Sequence, residues 1–236
     1  MPSAVELSGK IAIVAALHRE VSGLVKNWKA TSEQGLSFFE NGRMVLVCGG
    51  IGAQAARRAT EAIVGFCKPE LIVSVGFAGA LVAELRVGDV LIPRWVVDAK
   101  DGSRHDTGTG EGTVLTIHDV AGAERKTKLA EAYGAQAVDM EAAAVAQGAE
   151  KHGVRFLAIK VISDELDFAM PPMDRFVDGE GQFKTGSFAF YAAFRPWLWK
   201  SVMELGRNSS VASQVLRNTL EQESIFGTAA SNRSNS

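Results

Sequence analysis

The stretch AVDMEAAAVAQGAEKHGVRFLAIKVISDELD, residues 137–167, constrains the fold most, because it predicts a helix followed directly by a buried strand. Met140 to Lys151 consists of helix formers and small alanines, and Gly153 lies where a C-terminal cap belongs. Phe156 to Ile162 is an apolar run interrupted only by Lys160, which is typical of a strand buried on both faces. This unit predicts an α/β fold with parallel strands.

Acidic residues lie at both ends of this unit. Asp139 and Glu141 are at the N-terminus of the helix, and Asp164 follows the carboxyl end of the strand. Ligands of open α/β sheets collect at that edge, so these acids are candidates for chemistry. An Asp after a strand is also a common turn former or helix cap, and that alternative stays open on these residues alone.

Three further segments are expected to place residues at the same edge of the sheet. Lys10–Leu17 predicts a strand and leads to Glu20 in the first turn of a helix, where an acid also suits the helix dipole. Gly49–Gly52 joins a predicted strand to a helix, so the backbone at Ile51 and Gly52 can approach an anion or a ribose hydroxyl. Leu71–Val75 predicts a buried strand that leads into a glycine-containing loop, residues 76–80.

The remaining predictions concern shorter elements. Asn41-Gly42 is a strong hairpin signal between two strands. Residues 87–93 and 95–97 are expected to pair as strands, and residues 101–112 to form a mobile surface loop. A further strand is expected at Thr113–Ile117. The alternation of predicted strands and helices along the chain then predicts a three-layer α/β/α fold with a central mixed, mostly parallel sheet.

The chain after Asp167 is rich in aromatic residues, for which the first interpretation is core or subunit interface and the second is a substrate-facing wall. The candidates for such a wall are Phe183, Phe188 and Trp197. Residues 209–223 predict a final amphipathic helix. We expect a single domain over residues 1–226 and a flexible tail over 227–236.

Composition excludes several classes of protein. The chain has 25 Lys and Arg against 27 Asp and Glu, and no basic run argues for nucleic acid as a partner. Its apolar runs are too short to cross a bilayer. Cys48 and Cys67 lack metal-type spacing, so reduced thiols in the cytoplasm are expected, with neither a metal ion nor an organic cofactor.

Six segments occur in a familiar order: IVAALHREV, VCGGIGAQAA, CKPELIVSVGFAGAL, LRVGDVLIP, AVDMEAAAVA and KVISDELD. Together they resemble the nucleoside phosphorylase superfamily, and they are most similar to methylthioadenosine/S-adenosylhomocysteine nucleosidases, over about Ile11 to Asp167. The aromatic tail is similar to the hopanoid-associated phosphorylase branch, which implies a lipid nucleoside as an alternative substrate. A nucleoside-binding module without turnover is a second alternative, disfavoured because both predicted catalytic acids are present.

The resemblance implies that a homodimer cleaves the N-glycosidic bond of an adenine nucleoside. Asp164 would be the general acid toward the purine, oriented by Ser163, in an apolar site that favours its protonated form. Glu141 would hold the ribose hydroxyls beside Asp139, Met140 would pack against the sugar, and Glu20 would activate water.

Two positions depart from the family pattern. Phe77 stands where phosphorylases place a hydroxyl that holds phosphate, which leaves only the backbone amides of Phe77, Ala78 and Gly79. Hydrolysis is therefore favoured over phosphorolysis, with phosphate kept as an alternative nucleophile. The base-binding loop is short and contains Val120, and no residue in it is an obvious partner for stacking on adenine.

Overall fold

The computed structural model describes residues 9–222 except Gln34, so the predicted C-terminal tail lies outside the described residues. Eleven strands run through the described part: β1 (Ile11–Ala15), β2 (Lys29–Glu33), β3 (Leu36–Asn41), β4 (Met44–Cys48), β5 (Leu71–Ala80), β6 (Val90–Leu91), β7 (Trp95–Asp98), β8 (Arg104–Asp106), β9 (Thr113–Thr116), β10 (Ala137–Asp139) and β11 (Arg155–Asp164). The α-helices of the same part are α1 (His18–Val25), α2 (Ala53–Cys67), α3 (Ala123–Tyr133), α4 (Ala142–Lys151), α5 (Thr185–Ala193) and α6 (Pro196–Leu220).

The strands form one mixed sheet, which confirms the predicted fold class. Its order is β2-β3-β4-β1-β5-β10-β9-β7-β8, and β11 pairs with β5 and β6. Parallel pairs join β1 to β4 and β5, β5 to β11, and β9 to β7 and β10. The remaining pairs are antiparallel, and most of them lie toward the margins of the sheet.

Helices cover both faces of the sheet. Helices α2 and α4 pack on one face, where alanines such as Ala59, Ala143 and Ala146 allow close approach. Helices α1 and α6 pack on the other face through Val21, Leu24 and other apolar side chains. Both faces of the central strands are thus removed from water, which is why β1 and β5 are almost entirely apolar and why Lys160 alone interrupts the apolar run of β11 from Phe156 to Ile162.

Strand β5 determines where the cavity of the protein opens. Its first half, Leu71 to Ser74, has β1 on one side and β11 on the other. Its second half keeps β11, but β1 has ended, and β10 joins only at Gly79 and Ala80. On this side, β5 therefore has no partner strand between Ser74, where pairing with β1 ends, and Gly79, where pairing with β10 begins. The resulting gap lies at the carboxyl edge of the sheet, the position at which α/β sheets bind ligands.

Several sequence predictions of local structure are confirmed. Gly42 has a φ of 56°, and the Asn41-Gly42 turn joins β3 to β4, where Asn41 pairs with Met44. Gly153 has a φ of 65° just after α4, as expected of a C-terminal cap.

Other predictions are wrong because long-range pairing overrides local signals. Residues 76–80 are not a loop, since β11 pairs with β5 as far as Gly79. Strand β6 pairs with β11 rather than with β7, which lies between β8 and β9. The segment predicted as a mobile loop contains β8, with His105 buried. Helix α6 begins at Pro196, well before the predicted final helix, and α3 and β10 were not predicted.

Candidate active site

A cavity of about 320 Å³ lies at the carboxyl edge of the sheet, in the gap beside β5. Every residue predicted for the site borders it, although the segments that carry these residues are far apart in sequence. They are Glu20, Ile51, Gly52, Phe77, Ala78, Gly79, Val120, Asp139, Met140, Glu141, Ser163 and Asp164. The carboxyl-edge rule therefore correctly brought these residues to one cavity, while the cavity as the functional site and the role of each residue stay predictions.

Glu20 lies in the first turn of α1 and is buried, with its side chain directed toward β5. Its Oε2 accepts a hydrogen bond from the backbone N–H of Leu17 at 3.3 Å. Gly76 makes this placement possible: its φ is 146°, and a Cβ there would lie 3.2 Å from Oε2. Burial raises the pKa of Glu20 and outweighs the opposing effects of Leu17, Lys160 and Arg19.

Glu141 precedes α4 and faces the cavity beside the glycine turn. Its Oε1 accepts a hydrogen bond from the backbone N–H of Gly52 at 2.8 Å. The side chain keeps some accessible surface, which faces the cavity. Burial, and next the charge of Asp139, raise the pKa of Glu141 to about 7. Glu141 thus changes charge within the physiological range.

Lys160 lies beneath these carboxylates with 1% of its surface exposed. Its Nζ contacts Asp139 Oδ2 at 2.8 Å and Ser74 Oγ at 3.1 Å. Burial alone would lower the pKa of Lys160, but Asp139, Glu141 and Glu20 together raise it. Lys160 is therefore the shared cation of this part of the site, a role that its isolated charge in an apolar strand could have signalled.

Asp139 has both carboxylate oxygens engaged by the protein. Oδ1 accepts from Thr116 Oγ1 at 2.6 Å, while Oδ2 accepts from Ala142 N at 2.9 Å and from Lys160. Thr116 Oγ1 in turn accepts from the N–H of Ala143. Asp139 thus caps α4 and fixes Lys160, and this favours an organising role over direct contact with a sugar.

Asp164 ends β11 and is buried, as is Ser163 before it. Ser163 Oγ donates to Asp164 Oδ1 at 2.8 Å, the orienting contact expected from sequence. Asp164 Oδ2 is 2.5 Å from the Nζ of Lys126. The prediction of an apolar environment for Asp164 is therefore wrong, because its carboxyl group forms a buried ion pair with Lys126.

Gly79 gives this ion pair its space. A Cβ at residue 79 would lie 2.8 Å from Asp164 Oδ2 and 3.2 Å from Lys126 Nζ. Lys126 itself was missed by the sequence analysis: in the segment AERKTKLAEAY it resembles the exposed lysines of a solvated helix face. Only the packing of α3 onto the sheet buries its side chain.

Apolar side chains other than the predicted aromatics line another part of the cavity wall: Met170, Met173, Val177 and Leu205. Phe183 and Phe188 pack against each other with ring centroids 5.5 Å apart, and Trp197 is 73% exposed. None of these three aromatic residues borders the main cavity; Phe188 borders a second depression next to it. The prediction of an aromatic substrate wall is therefore wrong for this cavity.

The described residues contain no group of three or more His, Cys, Asp or Glu side chains that could hold a metal ion. No helix in the described range is long and apolar enough to cross a membrane. Both cysteines are free, and burial raises the pKa of Cys48 to about 12. Neither thiol lines the cavity.

The fold and the site define an α/β protein that receives a small ligand in a carboxylate-lined cavity at the edge of a mixed sheet. A model of the phosphorylase superfamily matches residues 10–121 and 107–184, and the chain belongs to this family. The family resemblance stated from the sequence motifs is thereby confirmed.

Individual relatives give the same result. The chain is 25% identical over 199 residues to the 5′-methylthioadenosine/S-adenosylhomocysteine nucleosidase of Buchnera aphidicola, covering 67% of this chain and 86% of that protein. The apo structure of 5′-methylthioadenosine nucleosidase from Arabidopsis thaliana superposes with a TM-score of 0.73 at 18% identity, covering 94% of this chain and 97% of that one. Futalosine hydrolase of Helicobacter pylori gives a TM-score of 0.63 at 18% identity, covering 91% and 98%. These two structures establish the fold, which hydrolases with different names share.

Proposed function

We propose that this protein is a nucleosidase that hydrolyses the N-glycosidic bond of an adenine nucleoside of the methylthioadenosine or S-adenosylhomocysteine type and releases adenine. The observation that carries the proposal is the arrangement of Glu20, Glu141 and Asp164 around one cavity. The names of the curated relatives support the same substrate class.

Each carboxyl group has one task in the proposed reaction. Asp164, oriented by Ser163, delivers a proton to N7 of the purine as the bond between C1′ and N9 lengthens. Glu141 accepts hydrogen bonds from the ribose hydroxyls, next to the N–H of Gly52. Glu20, which burial makes more basic, accepts a proton from the attacking water.

The apolar wall suits the 5′ end of such a nucleoside. Met170, Met173, Val177 and Leu205 offer thioether and aliphatic surface, against which a buried apolar 5′ group is stabilised by about 25 cal/mol per Å². The aromatic residues that suggested a lipid nucleoside lie elsewhere, so we prefer the smaller substrates. Phosphate remains the alternative nucleophile to be tested.

The deciding experiment incubates the purified protein with methylthioadenosine, S-adenosylhomocysteine or adenosine, with and without phosphate, and identifies the sugar product by mass spectrometry. We expect adenine and a free sugar in both conditions. A sugar 1-phosphate formed only with phosphate would establish phosphorolysis instead. Nucleoside binding without cleavage would establish a binding module.

We also propose a homodimer, as the family resemblance implies. Phe190 and Phe194 contact each other, and Phe190, Phe194, Trp197 and Met203 are each about 70% exposed, apolar surface that a second copy would cover. Light scattering should give twice the chain mass, and Trp197→Lys should shift the protein toward the monomer. A monomeric parent protein would refute this proposal. We also propose a cytoplasmic location, which suits a chain whose Cys48 and Cys67 form no disulfide.

A further inference from the structure

Lys126 is the second buried ammonium of the cavity and has no role in the reaction described so far. It is 1% exposed and lies on α3. Its Nζ contacts Asp164 Oδ2 at 2.5 Å, the carbonyl oxygen of Glu165 at 2.7 Å and that of Asp164 at 3.4 Å. A buried ion pair of this kind contributes little to stability compared with a well-packed apolar pair, so its presence beside the reacting group calls for a chemical reason.

Each carboxylate oxygen of Asp164 has a hydrogen-bond donor beside it. Oδ1 accepts from Ser163 and Oδ2 accepts from Lys126, so both oxygens act as acceptors. An ionised carboxylate is an acceptor only and cannot protonate a leaving purine. Of the two donors, Lys126 Nζ is the closer, at 2.5 Å from Oδ2, against 2.8 Å between Ser163 Oγ and Oδ1.

We propose that Lys126 supplies the proton that Asp164 passes to the purine, so that the ion pair, rather than Asp164 alone, is the acid of the reaction. The inference rests on the proposed nucleosidase function. Lys126 acts through Asp164 and is a positioning and proton-supplying residue, with no substrate contact assigned to it.

The bond between C1′ and N9 breaks and its electron pair stays with the purine, whose N7 takes a proton from the carboxyl group of Asp164. Lys126 Nζ gives one proton to that carboxyl group and becomes a neutral amine. Water adds to C1′ and gives a proton to Glu20. After the products leave, Glu20 releases its proton to solvent and Lys126 takes one up, which restores the starting state.

Other charged groups near the pair are already engaged or belong to the cavity rim. Glu165 forms an exposed ion pair with Arg86, and Asp119 pairs with Arg125 on α3. His118 borders the cavity next to Asp119. Because an imidazole is a common general acid in enzymes, a His118→Gln variant belongs in the experiment as a test for a competing proton source.

A purely structural role for Lys126 makes a different prediction from proton supply. Lys126→Arg keeps a cation beside Asp164, but a guanidinium does not give up its proton. Lys126→Met removes the cation, and the unpaired buried carboxyl group then favours its protonated form. If Lys126 supplies the proton, Lys126→Arg should therefore turn over methylthioadenosine slowly. If Lys126 only positions Asp164, the same variant should show near-normal turnover.

The experiment compares two substrates in each variant: methylthioadenosine, whose base needs a proton to leave, and 4-nitrophenyl riboside, whose phenolate leaves without one. For Lys126→Arg we expect kcat on methylthioadenosine to fall roughly 100-fold to 10,000-fold with KM nearly unchanged, and kcat on the nitrophenyl riboside to stay within a few-fold. Lys126→Met should regain turnover of methylthioadenosine as the pH is lowered. Lys128→Arg and Lys128→Met, on the exposed face of the same helix, are the matched controls and should resemble the parent.

Each outcome decides the question. Full turnover of methylthioadenosine by Lys126→Arg, or an equal loss on both substrates, overturns proton supply and leaves Lys126 as a structural residue. A comparable selective loss in His118→Gln with none in Lys126→Arg assigns the proton to His118 instead. If the parent protein and the Lys128 controls cleave neither substrate, the proposed nucleosidase function itself is wrong.

Discussion

Replacing Glu141 by glutamine keeps the size of the side chain and removes its charge, and we expect it to stabilise the protein above neutral pH while weakening its binding of ribose. The pKa of Glu141 rises from its usual 4.5 to about 7 because the carboxyl group is buried and lies close to Asp139. Such a rise corresponds to a cost of up to about 3 kcal/mol for ionising Glu141 in the folded protein.

The sign of the pH dependence follows from proton counting. Between pH 4.5 and about 7 the folded protein holds a proton on Glu141 that the unfolded chain has released. The contribution of Glu141 to the free energy of unfolding is therefore full below pH 4.5 and falls as the pH rises through 7. Glu141→Gln removes this dependence but replaces the charge-assisted hydrogen bond from Gly52 by a neutral one, at a cost of about 1 kcal/mol.

We therefore expect the variant to be more stable than the parent by about 1 to 2 kcal/mol near pH 8, and not more stable near pH 5. Urea unfolding of both proteins at several pH values measures this difference. Glu131→Gln, the same change at an exposed position on α3, is the control and should follow the parent. Identical pH dependence in the parent and Glu141→Gln would refute the raised pKa.

The same variant tests the role of Glu141 in binding. A carboxylate that accepts hydrogen bonds from ribose contributes about 1.5 to 3 kcal/mol, so the affinity for nucleosides should fall by about tenfold to a hundredfold. The affinity for free adenine should not change. Calorimetry with both ligands measures the contrast, and equal losses for the two ligands would contradict a contact with ribose.

Three further variants test the other charged groups. Asp164→Asn should reduce turnover roughly 100-fold to 10,000-fold with little loss of nucleoside binding, whereas Asp167→Asn, at an exposed position, should be silent in the same steady-state assay. Glu20→Ala should suppress the free-sugar product and spare any sugar phosphate; a silent change in a phosphate-dependent parent would favour phosphorolysis. Lys160→Met should lower the free energy of unfolding by about 3 to 5 kcal/mol, because Asp139 is left buried without its cation, and a smaller loss by urea unfolding would count against that pair.

The sequence was sufficient to predict that Glu20 and Asp164 meet at one edge of the sheet, because both follow strand ends. Strands such as Ile11–Ala15 and Arg155–Asp164 are recognisable from their apolar runs, and the carboxyl-edge rule then brings Glu20 and Asp164 together without knowledge of the register. The family motifs added the expected role of each acid, which no periodicity contains.

What the sequence did not predict depends on contacts distant in the chain. Gly76 and Gly79 were interpreted as loop residues, but they lie inside β5 and leave room for the carboxyl groups of Glu20 and Asp164. In the same way, Lys126 is buried only because α3 packs against the sheet, and nothing in its local sequence separates it from the exposed Lys128. Residues whose importance comes from close packing have no local signature.

The charges of the cavity explain how the free protein can favour a cationic transition state. The cavity contains four carboxyl groups, those of Glu20, Asp139, Glu141 and Asp164. Two of them form an ion pair with a lysine: Asp139 with Lys160, and Asp164 with Lys126. The raised pKa values of Glu20 and Glu141 are the result of burial with too little positive charge nearby. A ribose that becomes oxocarbenium-like would bring positive charge to the place where it is lacking. An arrangement that is electrostatically unfavourable in the empty cavity would therefore become favourable as the glycosidic bond breaks, which is how a preorganised site lowers a barrier.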